Sequence, residues 1–270
     1  LLGCGGCMTP NWGWVQPGLA QFTRVVAYDR AGFGWSEPAL TPDNSQQRVA
    51  ELHSALQNAG IHPPYLLVGH SYGGLLARLY AGDYPQEVVG MVLLDPRHPD
   101  QDARWPATAQ VAAASEGKMI WLLGWLARLG VLRLTDIGYQ QAKDLPPAQA
   151  AQYAALWATT QFWQSIQAQG ADVAELDAKA RAITTLGDLP LIVISATTAW
   201  LSPGAPADET RQVYTTLNLE QATLSSNSLH RTVEGASHTS LVNQETDAQV
   251  TIEAVRQIMA ALVADKPLRP

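Results

Sequence analysis

Charge is scarce in this chain. Only 15% of its 270 residues are Asp, Glu, Lys or Arg, against 47% apolar. A disordered protein or an acidic tail has the opposite balance, so both are excluded and a large buried core is expected. Lysine is rarer still. Lys118, Lys143, Lys179 and Lys266 are the four in the sequence, and no basic run exists. With a formal net charge of −7 the chain lacks the basic footprint of a nucleic-acid binder, and no nucleic-acid partner is expected. Two cysteines, Cys4 and Cys7, cannot build a disulfide scaffold, so stability must come from packing. No run of 18 apolar residues occurs. The nearest, Met119–Leu134, is shorter than the ~20 residues that span a bilayer and carries Arg128 and Arg133. That stretch reads as buried rather than lipid-adsorbing, because a membrane-surface helix needs a strongly cationic polar face. No signal sequence and no transmembrane segment are read, which predicts a soluble, cytoplasmic protein of open oligomeric state. Leu1-Leu2 reads as the middle of a strand, which leaves open whether sequence precedes it.

What is present is an alternation of short apolar strands with helices, the pattern of a parallel sheet covered on both faces. Val25–Tyr28 reads as a strand, and Thr41-Pro42-Asp43 as the opening of a helix carrying Val49, Leu52 and Leu56 and closed by Gly60. Tyr65–Val68 is the next strand, Leu75–Tyr80 the next helix, and Val88–Leu94 a third strand. After Asp95 the character changes. From 96 to 187 no strand-like run appears, while Trp105, Trp121, Trp125, Trp157 and Trp163 accumulate, which predicts an all-helical insertion. Leu191–Ile194 resumes the alternation, followed by a helix with Val213 and Leu217, a strand over Leu229–Val233 and a last amphipathic helix. The domain reading is a core of 1–95 and 188–270 with a cap of 96–187.

Gly69-His70-Ser71-Tyr72-Gly73 carries the strongest chemical signal. It fits G-x-S-x-G and lies between a predicted strand and a predicted helix, the context a nucleophile elbow requires. So sharp a turn strains its central residue and leaves no room for side chains two positions either side. The serine is then held in the open beside a helix N-terminus, whose field favours developing negative charge.

On these residues the chain resembles an α/β-hydrolase-fold serine hydrolase with a helical cap. Tyr28-Asp29-Arg30-Ala31-Gly32-Phe33-Gly34-Trp35-Ser36 resembles the family's D-x-x-G-x-G-x-S turn. Leu1–Gly6 resembles its oxyanion loop, with Leu2 standing where a histidine is usual, and Gly235-Ala236-Ser237-His238 resembles the loop of its catalytic histidine. The resemblance implies Ser71 as nucleophile and His238 as base, because His238 alone among six histidines follows a strand's C-terminal end. His70 adjoins the serine but is expected to point away from it. For the acid two residues compete. Asp95 closes the strand beside the elbow strand, and Asp208 follows the next one across Pro203-Gly204-Ala205-Pro206. The backbone N–H groups of Cys4 and Tyr72 are the expected oxyanion donors. Trp121, Trp125, Trp157 and Trp163 are expected to line the substrate pocket above the triad.

Cys4-Gly5-Gly6-Cys7 has C-x-x-C spacing, but no further metal ligand lies near in sequence, and the topology is wrong for a thioredoxin-like motif. Asp29 reads as a turn residue. Walker A, complete G-x-G-x-x-G, H-E-x-x-H and EF-hand patterns are lacking, so neither a cofactor nor a metal is expected. The resemblance implies cleavage of small hydrophobic esters through an acyl-enzyme. A serine at the elbow, in place of aspartate, argues against the family's haloalkane and epoxide branches. Lactone, thioester, peptide and carbon–carbon hydrolysis use the same triad, and a poorly catalytic ligand-binding member is the reading from another class.

Overall fold

The structure is a computed structural model that describes residues 1–39, 44–198 and 207–269, with the backbone alone at 112–116 and 207–208. Four strands, β1 (Tyr65–His70), β2 (Val88–Leu94), β3 (Leu191–Thr198) and β4 (Ser228–Ser237), form one fully parallel sheet in that order. The helices in chain order are α1 (Val15–Ala20), α2 (Ser45–Asn58), α3 (Tyr72–Asp83), α4 (Gln101–Arg104), α5 (Ala107–Arg128) and α6 (Ile137–Gln141). They continue with α7 (Pro147–Trp157), α8 (Thr160–Ala182), α9 (Ala207–Ala222), α10 (Ser240–Asn243) and α11 (Glu245–Ala264).

The two-residue period of the strands divides the core. Leu67, Met91, Leu93, Leu191 and Val193 face Val49, Leu52 and Leu56 of α2 and Leu75, Leu76 and Leu79 of α3. Val68, Val92, Leu94, Ile192 and Ile194 face Val15 and Leu19 of α1 and Ile252, Val255 and Ile258 of α11. Strands buried on both faces need nearly continuous apolar sequence, and Val88–Leu94 supplies it. Each fully buried Leu, Ile or Val contributes about 1.5–3 kcal/mol.

Between β2 and β3 the described chain holds α4 to α8 and no strand. A third core forms there from Met8, Phe33, Leu132, Leu156, Trp157, Phe162 and Trp163. Helix α8 belongs to both parts. Its first turns place Phe162 and Trp163 in the third core, and its last turns place Leu176 and Ala180 against the sheet's α2/α3 layer. Arg97 reinforces that junction, pairing with Asp102 and with Asp177 of α8, each at 2.7 Å.

Two expectations are corrected. Val25–Tyr28 is not a strand. Its apolar run is buried from two sides, with Val25 and Ala27 packed in one layer of the core and Val26 and Tyr28 in the other. Leu2 makes one parallel bridge, with Gly69, and Leu1 N donates to Val26 O at 2.7 Å, a single contact and not a ladder. Met119–Leu134 is not buried. Ile120, Leu123 and Ala127 turn inward, while Met119, Trp121, Leu122, Trp125, Leu129 and Leu134 are exposed. Apolarity all round a helix says that both faces are apolar, not that both are covered. The helix opening expected at Thr41-Pro42-Asp43 lies outside the described residues; α2 is capped by Asn44, whose Oδ1 accepts from Gln47 N at 2.9 Å. Among the described residues no helix is long and apolar enough to cross a membrane.

Candidate active site

Ser71 stands between β1 and α3 with φ 55° and ψ −120°, left-handed backbone that an L-residue rarely adopts. The strain is held from three sides. Ser71 N donates to Leu94 O at 3.0 Å, and Ser71 O accepts from Gly74 N at 2.9 Å and Arg97 N at 3.1 Å. The motif's glycines are steric necessities. A Cβ on Gly73 would strike Leu2 O and lie 2.6 Å from Gly3 O, and one on Gly69 would lie 2.6 Å from Gly73 O. Ser71 Oγ makes no hydrogen bond among the described residues, so the hydroxyl is uncommitted.

Register sets Asp95 beside this elbow. His70 pairs with Leu94, so the residues that follow, Ser71 and Asp95, leave the same sheet edge on adjacent strands. Asp95 also has positive φ, 42°, and its amide donates to Ile194 O at 2.6 Å. Its carboxylate is fully buried. Oδ2 lies 2.7 Å from His238 Nδ1, while Oδ1 accepts from Ala196 N at 3.1 Å and Asn218 Nδ2 at 3.3 Å. Tyr214 of α9 donates to Asp95 O at 3.0 Å, and burial together with the Asp95 charge holds its phenol well above the usual range. The structure therefore brings Ser71, Asp95 and His238 to one edge. Asp208 falls in the first turn of α9, and its side chain lies outside the described residues.

His70 does not point away as expected. Fully buried at the end of β1, it lies under His238 with ring centroids 4.6 Å apart, and its Nε2 donates to His238 O at 2.8 Å. Burial, and then the neighbouring His238, push its pKa well below 6.5, so it is a neutral support for the His238 loop.

The Leu1–Gly6 loop has a support that the sequence did not disclose. Arg30, from the turn after Val25–Tyr28, donates to Gly3 O at 2.9 Å, Cys4 O at 2.8 Å and Gly5 O at 3.1 Å, and to Gln169 Oε1 of α8 at 3.1 Å. Three carbonyls gathered on one guanidinium turn the loop's amides the other way. Among the described residues the amides of Cys4 and Tyr72 donate to no protein group. The Tyr72 ring is pinned behind them by a hydrogen bond from Arg48, and burial pushes its phenol up to about 12. Asp29 has the turn role expected of it, accepting from Thr9 N at 2.6 Å and Trp35 N at 3.2 Å. Cys4 and Cys7 are joined in a disulfide, and the chain places a third metal-type ligand, His70, beside them, against the expectation that none is near.

The four tryptophans separate. Trp157 and Trp163 are buried in the cap core, edge to face at 4.9 Å. Trp121 and Trp125 are 59% and 47% exposed and line a shallow groove with Thr160 and Gln164 on the outer surface. The residues between β2 and β3 that approach the Leu1–Gly6 loop are on α8 instead. A Cβ on Gly6 would meet Ile166 Cδ1 at 3.1 Å and Phe162 Cζ at 3.4 Å, and one on Gly5 would meet Gln169 Nε2 at 3.0 Å. Phe162, Ile166 and Gln169 recur at i, i+4 and i+7, a helical stripe visible in the sequence once its facing loop is known. A cavity of about 410 Å³ is lined by Leu1, Leu2, Val26, Tyr28, Leu56 and Tyr65 among others and by none of Ser71, Asp95 and His238. A second serine–histidine pair, Ser195 Oγ and His230 Nε2 at 2.8 Å, lies across β3 and β4 and has no carboxylate partner among the described residues.

A family model described as alpha/beta hydrolase fold matches residues 2–119. The chain has the α/β-hydrolase fold. An AB hydrolase superfamily protein of Gibberella zeae is 35% identical over 101 residues, covering 35% of this chain and 31% of that protein. Such matches span about a third of the curated relatives' own length, 36% and 31% in the first two. Among solved structures, the epoxide hydrolase CorEH superposes with a TM-score of 0.71 at 18% identity, over 97% of this chain and 90% of that one. Est816, described as an N-acyl homoserine lactone degrading enzyme, gives 0.65 at 18% identity, over 94% and 90%. At such identities the likeness is one of fold.

Proposed function

We propose that this protein is a serine hydrolase that cleaves carboxylic esters of moderately hydrophobic acids through an acyl-enzyme. The observation that carries the reading is the 2.7 Å contact between His238 Nδ1 and the fully buried Asp95, on the sheet edge where the strained Ser71 stands. A free serine hydroxyl is a weak nucleophile and needs a base oriented by a third group. Asp95 fixes the proton of His238 on Nδ1, which leaves Nε2 with a lone pair to accept the Ser71 proton. Ser71 Oγ then attacks the ester carbonyl, and the tetrahedral oxyanion is met by the amides of Cys4 and Tyr72. Preorganised donors of this kind are worth about 2.7–4 kcal/mol each. Collapse expels the alcohol, which takes the proton from His238. Water activated by the same imidazole then attacks the acyl-enzyme and frees the acid.

The test is hydrolysis of p-nitrophenyl esters from acetate to octanoate. A nitrophenol burst equal to the enzyme concentration, followed by slower turnover, is the expected result. Saturable ester binding with no release from folded protein would overturn the reading in favour of a ligand-binding member of the fold.

Specificity for the acyl portion is assigned to the α8 stripe. Phe162→Ala should lower kcat/KM for octanoate relative to acetate, by up to about 1–3 kcal/mol of discrimination for each methylene that Phe162 covers. Trp121→Ala, on the outer surface, should leave the chain-length profile unchanged. A shift in Trp121→Ala and none in Phe162→Ala would move the acyl pocket from the α8 stripe to the outer groove that Trp121 lines.

A further inference from the structure

The C-x-x-C turn is a chemically loaded feature that ester hydrolysis does not use. Cys4 Sγ, Cys7 Sγ and a ring nitrogen of His70 lie within 4.8 Å of one another, with Cys7 and His70 buried. His70 is presented as metal-bound histidines are. Its Nε2 faces a carbonyl, His238 O, and must carry the ring proton. Nδ1 therefore bears a lone pair, and its partner in the folded chain is Cys7 Sγ at 3.9 Å. A disulfide sulfur has no proton to give, so this fully buried acceptor is aimed at sulfur and, among the described residues, has no donor to satisfy it.

We propose that the reduced form of this chain binds one zinc ion through Cys4, Cys7 and His70. Reduction comes from a dithiol, which transfers two electrons and two protons to the Cys4–Cys7 bond and leaves as its own cyclic disulfide. Zinc then displaces the two thiol protons to solvent and takes two thiolates and the Nδ1 lone pair. The distances suit it: with Zn–S near 2.3 Å and Zn–N near 2.0–2.1 Å, a tetrahedral site sets its S and N ligands about 3.5 Å apart. The donors suit it too, because thiolate and imidazole together select zinc over hard cations. Two thiolates neutralise the dication, so the buried cluster carries no net charge. The proton on Nε2, held by His238 O, is the outer contact that fixes a ligand imidazole's tautomer and ring plane. Disulfide and zinc are then two alternative clamps on one loop. Each clamps the segment bearing the Cys4 amide, the disulfide within the loop and the zinc across to His70 beside the elbow.

The experiment uses the full chain in the Ser71→Ala background, so that its outcome does not depend on ester hydrolysis. Protein reduced anaerobically and freed of reductant is titrated with zinc against a chromophoric chelator, and in parallel with cobalt(II). About one zinc per chain and a thiolate-to-cobalt charge-transfer band are expected in the reduced protein, and neither in the oxidised protein. Cys7→Ser should weaken zinc binding by more than about 100-fold, since a ligand is worth at least what an outer-shell partner is. The oxidised protein controls for folding, because it removes both thiolates without a substitution. Equal zinc uptake by the oxidised and reduced forms, uptake unchanged in Cys7→Ser, or none in the reduced form would each overturn the proposal.

Discussion

Ser71→Ala is expected to lower kcat for p-nitrophenyl esters by about 10⁴-fold or more and to leave the fold intact, and His238→Ala to do the same. The magnitude follows from the way triad members act as a unit. Removing either stops proton transfer and attack together, and the residual rate comes from binding and the oxyanion donors alone. The double variant should therefore be no slower than the worse single one. The fold should survive because Ser71 Oγ holds no hydrogen bond among the described residues, while the strained backbone is fixed by its own amide and carbonyl. Alanine keeps the Cβ, so the cost of φ 55° is the same in both proteins. Melting temperature and burst amplitude are the two readouts. A folded Ser71→Ala protein with most of its activity would remove the elbow from the mechanism and turn attention to Ser195 and His230.

The elbow was legible in the sequence because its requirements are local. A turn that admits no side chain at positions 69 and 73 must show glycine there, and the flanking Tyr65–His70 and Tyr72–Asp83 carry their own periodicities. Asp95 was legible in part. Its place at a strand end follows from the apolar run before it, but the contact to His238 spans 143 positions and depends on register. What failed to show were roles fixed by distant partners. Arg30 is an ordinary charged residue of a glycine-rich turn until Gly3, Cys4 and Gly5 fold onto it. His70 lies one residue from Ser71, and its side chain belongs to the opposite end of the chain, at His238. The tryptophans misled for a related reason. Composition put Trp121 and Trp125 in the cap, but only the packing of α5 on α8 decides which face of that helix is covered. A strand over Val25–Tyr28 was expected from a short apolar run ended by Asp29 and glycines, and such a run reports burial on two sides without reporting a hydrogen-bonding neighbour.

Asp95→Asn is expected to reduce kcat by about 10⁴-fold with little change in KM, the acid having no contact with substrate in this mechanism. The hydrogen bonds decide how the amide sits. Oδ1 of Asp95 faces two donors, Ala196 N and Asn218 Nδ2. An asparagine that turned its NH₂ toward them would set donor against donor in a site without solvent. Its carbonyl must therefore take the Oδ1 place, and its NH₂ must point at His238 Nδ1. A donor there calls for an unprotonated Nδ1, which moves the ring proton to Nε2. Nε2–H has no lone pair for the Ser71 proton, and the imidazolium that forms during attack is left without its counter-charge. Size and packing are preserved, so the variant should fold, and the tautomer change should appear directly in the ring ¹⁵N shifts of His238. Asp208→Asn should remain within a few-fold of the parent, since Asp95 already occupies Nδ1. An inert Asp95→Asn beside a dead Asp208→Asn would assign the acid to α9 and leave Asp95 as the turn that joins β2 to the cap.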